Sequence, residues 1–192
     1  MSARICLKQI LALPLFNSAI AISSNSIGDN CMRAMRKIKK QLEEKEAYEL
    51  LKECQIVTIS MYDEEEKEPY AVMVNPIVID HTIYIHCANE GRKIDVLKKK
   101  SSVCITALVK SSIVERKYTT AYESIVMYSH SQFIENDEEK ERILYELCKQ
   151  YTPNNKIEST KKLIDAELNN TTIIKFDIES ISAKGSNREK LS

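Results

Sequence analysis

Apolar and polar positions change rhythm several times along the chain, and each change marks an element. Glu43 to Glu53 sets Ala47, Leu50 and Leu51, with Cys54 just beyond, on one face at helical spacing, which predicts an amphipathic helix. Gln55 to Met61 is continuous enough in Ile, Val and Thr to predict a buried strand. The run Asp63-Glu64-Glu65-Glu66-Lys67-Glu68 breaks that pattern as a charged hairpin connection, and a run of this kind is expected to be solvated and without chemistry. Tyr70 to Ile79 is the next predicted strand. Asn75-Pro76 interrupts it with a bulge or an edge, because proline cannot donate to the ladder. Asp80-His81 predicts a tight turn with an exposed histidine. From Thr82, Ile83 and Ile85 alternate with Tyr84 and His86, the period of a half-buried strand. That signal stops at Asn89-Glu90-Gly91. A short helical segment follows, with Ile94 and Leu97 inward and Lys98 to Lys100 where cations favour a helix C-terminus.

Val103 to Val109 predicts another apolar strand, whereas Ser111 to Tyr122 has neither period and reads as a long connection, of a length that often carries function. Ile125 to Ile134 resumes as strand, with His130 out of phase with the apolar face and therefore exposed. Asn136 or Asp137 caps a helix with an acidic first turn and a core stripe of Ile143, Leu144, Leu147 and Tyr151. A second, weaker helix over Lys156 to Leu168 and a strand over Thr172 to Ile178 complete the pattern. Both helices read as packing elements over a β core, with no catalytic spacing. The first thirty residues differ from the rest: Ile10 to Ile22 is mostly apolar, too short to span a bilayer, and flanked by Lys8 and by small residues. The organisation expected is an extension over 1–34, disordered or a weak targeting segment, a domain over 35–186, and a frayed tail over 187–192.

Composition narrows the function classes. A length of 192 residues suits one domain with a real core, and 28 basic against 28 acidic residues leave no long-range field that favours nucleic acid. Neither a nucleic-acid nor a membrane partner is expected. The six cysteines form no CxxC and have no histidine-rich partner cluster, so they suit reduced core thiols in a cytoplasmic setting, with a secretory or organellar presequence at 1–30 as the alternative, and no metal site. No nucleophile–base motif, Walker loop or dinucleotide glycine fingerprint is present, so redox or transfer chemistry would have to come from a cofactor.

Candidate chemistry gathers where the strand ending at Ala88 gives way to the helix after Gly91. Gly91 permits close backbone approach, and free amides at a helix start beside Arg92 and Lys93 make a receptor for a phosphate dianion. The plainer reading is a strand–turn–helix with a solvated basic face. His86, one turn ahead of the joint, is either a half-buried residue capping the strand or a proton donor or substrate contact.

Four blocks, ECQIVTIS at 53–60, PYAVMVN at 69–75, IYIHCANEGRKID at 83–95 and KYTTAYESIVMYS at 117–129, resemble the pyridoxamine 5′-phosphate oxidase-like flavin-binding superfamily, and within it most nearly the nitroimidazole-resistance group; ISAKG at 181–185 is a weaker fifth match. The resemblance implies a mainly β fold with accessory helices, a six-stranded antiparallel split barrel of Greek-key type. It further implies a homodimer with FMN, or alternatively FAD, in the groove between subunits. On that likeness Arg92 and Lys93 neutralise the flavin phosphate beside Gly91, the backbone near Met73, Val74 and Asn75 and near His86 and Cys87 lines the ring, and His86 faces substrate. Thr119, Thr120 and Tyr122 are contacts across the dimer seam, and Lys184 approaches the cofactor. The implied activity is flavin-dependent reduction of a small molecule of the nitroimidazole type, with NAD(P)H or reduced ferredoxin as electron donor; a flavin carrier or sensor without turnover is the alternative. Two departures stand out: Pro76 occupies a position expected to be aromatic, and Ser129 one expected to be glycine. With no Trp and a single arginine after Arg142, the chain lacks the ending expected for pyridoxamine phosphate oxidation itself.

Overall fold

The computed structural model describes residues 34–99 and 102–191; the extension expected over 1–34 lies outside them except for Ala34. Strands β1 (Gln41–Leu42), β2 (Val57–Asp63), β3 (Glu68–Val74), β4 (Ile77–Ile79), β5 (Thr82–Ala88), β6 (Ser102–Val114), β7 (Thr119–Ile134), β8 (Thr171–Asp177) and β9 (Ser180–Ser186) are joined by helices α1 (Glu44–Lys52), α2 (Arg92–Lys98), α3 (Asp137–Tyr151) and α4 (Ile157–Glu167). The strands run in the order β3-β2-β6-β7-β8-β5-β4, with β9 against β7 and β1 against β9. Every pairing is antiparallel. This is a mainly β split barrel with accessory helices, as the resemblance implies.

Nine strands are found among the described residues where six were expected, and each extra one has a local cause. Pro76 splits the strand expected over 70–79 into β3 and β4, which sit at opposite ends of the strand order, so that Asn75-Pro76 crosses between the two edges. The Tyr151 hydroxyl donates to the Pro76 carbonyl at 2.6 Å, and the Asn75 amide donates to the Gln55 carbonyl at 2.8 Å, which fixes that crossing. β1 has two residues, and β9 alternates small and polar residues with too few apolar positions to announce itself.

The long connection expected over Ser111 to Tyr122 is instead the end of one strand and the start of the next, closed by a 3-10 turn over Glu115–Lys117 with Tyr118 in the left-handed region. A register shift between Leu108 and Lys110 explains the misreading, since a bulge reverses which side chains face inward and destroys the period-2 signal. The tail expected to fray also departs from expectation. Arg188 pairs with the buried carboxylate of Glu123 and, at 2.6 Å, with Glu46 on α1, inside a further 3-10 turn over Arg188–Lys190.

Two apolar clusters hold the molecule together. Ile59, Ile105, Met127, Ile85 and Phe176 fill the barrel, closed by Leu51 of α1 and by Ile94 and Leu97 of α2. The second cluster packs Ile143 and Leu147 of α3 and Ile164 of α4 against Tyr84 and Ile173 on the outer side of β5 and β8. Alternation along β5 therefore sends Ile83 and Ile85 into the barrel, and Tyr84 and His86 toward the two helices. Asn136 is the residue that caps α3, its side chain accepting from the Glu139 amide at 2.8 Å.

Candidate functional site

At the joint after β5, Gly91 has φ +116°, a value that side-chain-bearing residues rarely adopt, and a β-carbon built there meets nothing within 4 Å. Glycine is thus needed for the turn rather than for a close approach, and open space adjoins it. The Gly91 carbonyl accepts from the amides of Ile94 and Asp95. The amides of Arg92 and Lys93 precede the first intrahelical bonds and have no backbone partner among the described residues.

The two cations at this helix start diverge. Arg92 donates through Nε to Asp63 at 2.8 Å and through Nη2 to Glu68 at 2.8 Å, and its guanidinium lies 4.4 Å from the centre of the Tyr70 ring. It is committed to the β2–β3 hairpin and is not free for a phosphate in this arrangement. The guanidinium hydrogen bond holds the Asp63 carboxyl below its usual range, helped by the Glu65 and Glu66 amides. Asp63 is only 4% exposed, so the acidic run read as uniformly solvated begins with a buried anchor. A carboxylate at the last inward position of a strand, followed by turn residues, is the signal that could have exposed it.

Lys93 turns the other way. No ion pair engages it among the described residues, and its charge acts on His86 and Cys87. Burial is the larger cause of the lowered His86 pKa, with Lys93 adding to it, so the imidazole is held neutral. Burial pushes the Cys87 thiol up, and Lys93 partly offsets this. His86 also lines a cavity of about 640 Å³ with Asn75 and with α3 and α4.

The remaining residues singled out from the sequence lie elsewhere. Met73, Thr120, Tyr122 and Lys184 share the outward face of the β3-β2-β6-β7-β9 sheet, as cross-strand register establishes. One row runs Met73, Thr58, Thr106, Val126, Ser182; the next runs Ala71, Ser60, Cys104, Tyr128, Ser180. Beyond them Leu108, Ser124 and Lys184 are aligned, then Ser111, Tyr122 and Ser186, then Ile113 and Thr120. Lys184 is the sole Lys, Arg, Asp or Glu in these rows, while Met73, Leu108 and Ile113 are 77%, 64% and 70% exposed. Val74 points inward against the barrel core, and Thr119 opposes Val114 on the other side of the hairpin from Thr120. The Lys40 amine donates to Ser186 at 2.6 Å and sits 5.8 Å from the centre of the Tyr122 ring, a contact at this face that the sequence did not suggest.

One chain thus carries two separate groups of candidates, one around Asn75, His86, Cys87, Gly91 and Lys93, the other on the outward sheet face. The fold that holds them is that of the antiparallel split barrels. The chain belongs to the pyridoxamine 5′-phosphate oxidase family, whose model matches residues 43–185. Among solved structures it is similar to a candidate 5-nitroimidazole antibiotic resistance protein from Bacteroides thetaiotaomicron, with 23% identity and a TM-score of 0.63 over 75% of this chain and 85% of that one. It is also similar to the FAD and heme binding protein from Mycobacterium smegmatis, with 15% identity, a TM-score of 0.63, and 77% and 74% of the two chains covered. A FAD-binding protein from Mesorhizobium loti gives 14% identity and a TM-score of 0.54 over 77% and 98%. At such identities the likeness speaks to the fold alone. No curated protein matches the chain. No helix among the described residues is long and apolar enough to cross a membrane.

Proposed function

We propose that this protein is a flavin-dependent oxidoreductase that binds FMN between two copies of the chain and reduces a small oxidised molecule, with nitroimidazole-type compounds as the leading candidates. The observation that carries the reading is the joint after β5. Among the described residues Lys93 has no ion pair and the Arg92 and Lys93 amides have no backbone partner, beside a glycine at φ +116° that adjoins open space and near a neutral imidazole. These residues fit a phosphate dianion. In this proposal Lys93 and the first-turn amides hold the phosphate, and Arg92 sets the position of the turn by anchoring it to Asp63 and Glu68. The FAD-binding relatives support a flavin in general, and the short phosphate grip favours FMN.

The outward sheet face supports the dimer. Its rows are nearly free of charge and leave large apolar side chains uncovered, which is the composition of an interface core. A second copy seated there would bring its own Thr120, Tyr122 and Lys184 toward the first copy's cofactor, uniting the two groups of residues.

Bound flavin supplies electrons to the acceptor, drawn from NAD(P)H or reduced ferredoxin. His86 then has one N–H and one bare ring nitrogen at neutral pH, so it orients the acceptor by a hydrogen bond, and it relays a proton only by taking one from water at the bare nitrogen as the N–H gives up its own. Single-turnover mixing of the reduced protein with 2-methyl-5-nitroimidazole without oxygen tests this. Re-oxidation in the wild type, slowed at least tenfold in His86→Ala with flavin content unchanged, is the expected result. A reduced protein that the nitro compound leaves reduced is instead a carrier or sensor.

A further inference from the structure

The β6–β7 hairpin outruns the sheet that carries it. Strand β2 pairs with β6 no further than Thr106, and β9 pairs with β7 no earlier than Tyr122. Beyond them the pairs Ser112–Ala121, Ile113–Thr120 and Val114–Thr119 have no third strand among the described residues. Two strands alone are marginally stable in water, yet this arm leaves Ile113 70% and Tyr118 98% exposed. At its tip Arg116 and Lys117 are exposed, and neither forms an ion pair among the described residues.

The opposite end of the same sheet face carries the opposite sign. Because β2 and β6 are antiparallel, β2 reaches its turn at the end of the face away from the tip of the arm. In that turn Glu65 is taken by Lys99 and Glu68 by Arg92, while Glu64 and Glu66 are exposed and in no ion pair among the described residues. Glu115 at the tip and Lys67 in the turn reduce each charge without reversing it. Near the two ends Lys110 and His130 are held by Glu53 and Glu179. Tyr62, two positions on from Ser60, closes the face beside the acidic turn and is 50% exposed.

A closed pair of identical copies brings the same face together about a twofold axis, so each contact occurs twice. With their strands in the same sense, two such faces would set basic tip against basic tip and acidic turn against acidic turn. With their strands in opposite senses, each tip meets a turn. Juxtaposed like charges cost more than exposed ion pairs return, so charge decides the sense while the apolar rows supply adhesion. We infer that two copies of the chain pack with these strands running in opposite senses, so that Arg116 and Lys117 of each arm dock on Glu64 and Glu66 of the partner subunit and Ile113 lies toward the partner's Tyr62. Two copies sharing this face are the premise taken from the proposed function; the sense of packing is what the charges add.

Sedimentation equilibrium of the full chain tests this with three variants: Arg116→Glu with Lys117→Glu, Glu64→Lys with Glu66→Lys, and all four substitutions together. Each two-site reversal should weaken the dimer about tenfold or more, because it sets like charges together. The four-site protein should return to within about threefold of the wild type, since its charges are exchanged rather than lost. Two damaged folds would not restore one another, so the recovery also controls for misfolding. A four-site protein no tighter than the two-site variants, or reversals that leave the dimer as tight as the wild type, overturns the packing sense and leaves the shared face standing. A monomeric wild type overturns both. Flavin has no part in the readout, so a failure of the cofactor reading shows separately.

Discussion

Arg92 and Lys93 are adjacent in sequence, yet the helix start aims them at different neighbours. A guanidinium fits two carboxylates at once, which an ammonium does not do with the same geometry, so Arg92 takes the Asp63 and Glu68 anchor, and no ion pair engages Lys93 among the described residues. The anchor has a pH signature. Asp63 has a folded pKa below its unfolded value, so the stability it contributes is complete above the ordinary aspartate range and is lost as pH falls through the lowered value. Melting temperature against pH should therefore decline in acid less steeply for Asp63→Asn than for the wild type. Parallel acid limbs in the two proteins would remove Asp63 from that role. Sequence reading found the glycine and both cations, because a strand-to-helix joint carries a local pattern. It missed the partner of Arg92, because Asp63 lies 29 positions away and only the folded register brings it near.

At the scale of elements, α3 shows what periodicity can and cannot reveal. Its apolar stripe at Ile143, Leu144 and Leu147 predicts a packed helix, and the second core cluster contains all three. Spacing could not show that α4 stands off far enough to leave a cavity, since that depends on the angle between the two helices. Leu147 is 4% exposed and joins α3 to the outer side of the sheet, so Leu147→Ala should cost about 2–5 kcal/mol in denaturant unfolding. A loss under about 0.5 kcal/mol would mean that α3 is not part of the cooperative unit. The β6–β7 hairpin gives the opposite lesson. Both of its strands were predicted in part, over 103–109 and 125–134, but its tip over 111–122 was hidden by the bulge after Leu108, where alternation changes phase and a continuous strand looks patternless.

For the whole molecule, the fold was legible through family likeness carried by short blocks, whereas the two faces of the sheet became distinguishable only once cross-strand neighbours were known. Met73, Thr58, Thr106 and Val126 are scattered over residues 58–126 and form one row. If a second copy covers that row, Met73→Asp should convert the dimer to monomer in sedimentation and lower flavin content with it, because the site then lacks its other half. A variant that stays dimeric with full flavin would place the interface elsewhere. The central claim, a flavin phosphate gripped by Lys93 at the turn after β5, is tested most directly by titrating FMN into the flavin-stripped protein and into its Lys93→Ala variant. The account predicts saturable binding at one FMN per chain, weakened about tenfold or more by the substitution, as loss of a charge-assisted hydrogen bond worth about 1.5–3 kcal/mol requires. No binding to the wild-type chain, or equal affinity in the two proteins, would contradict it.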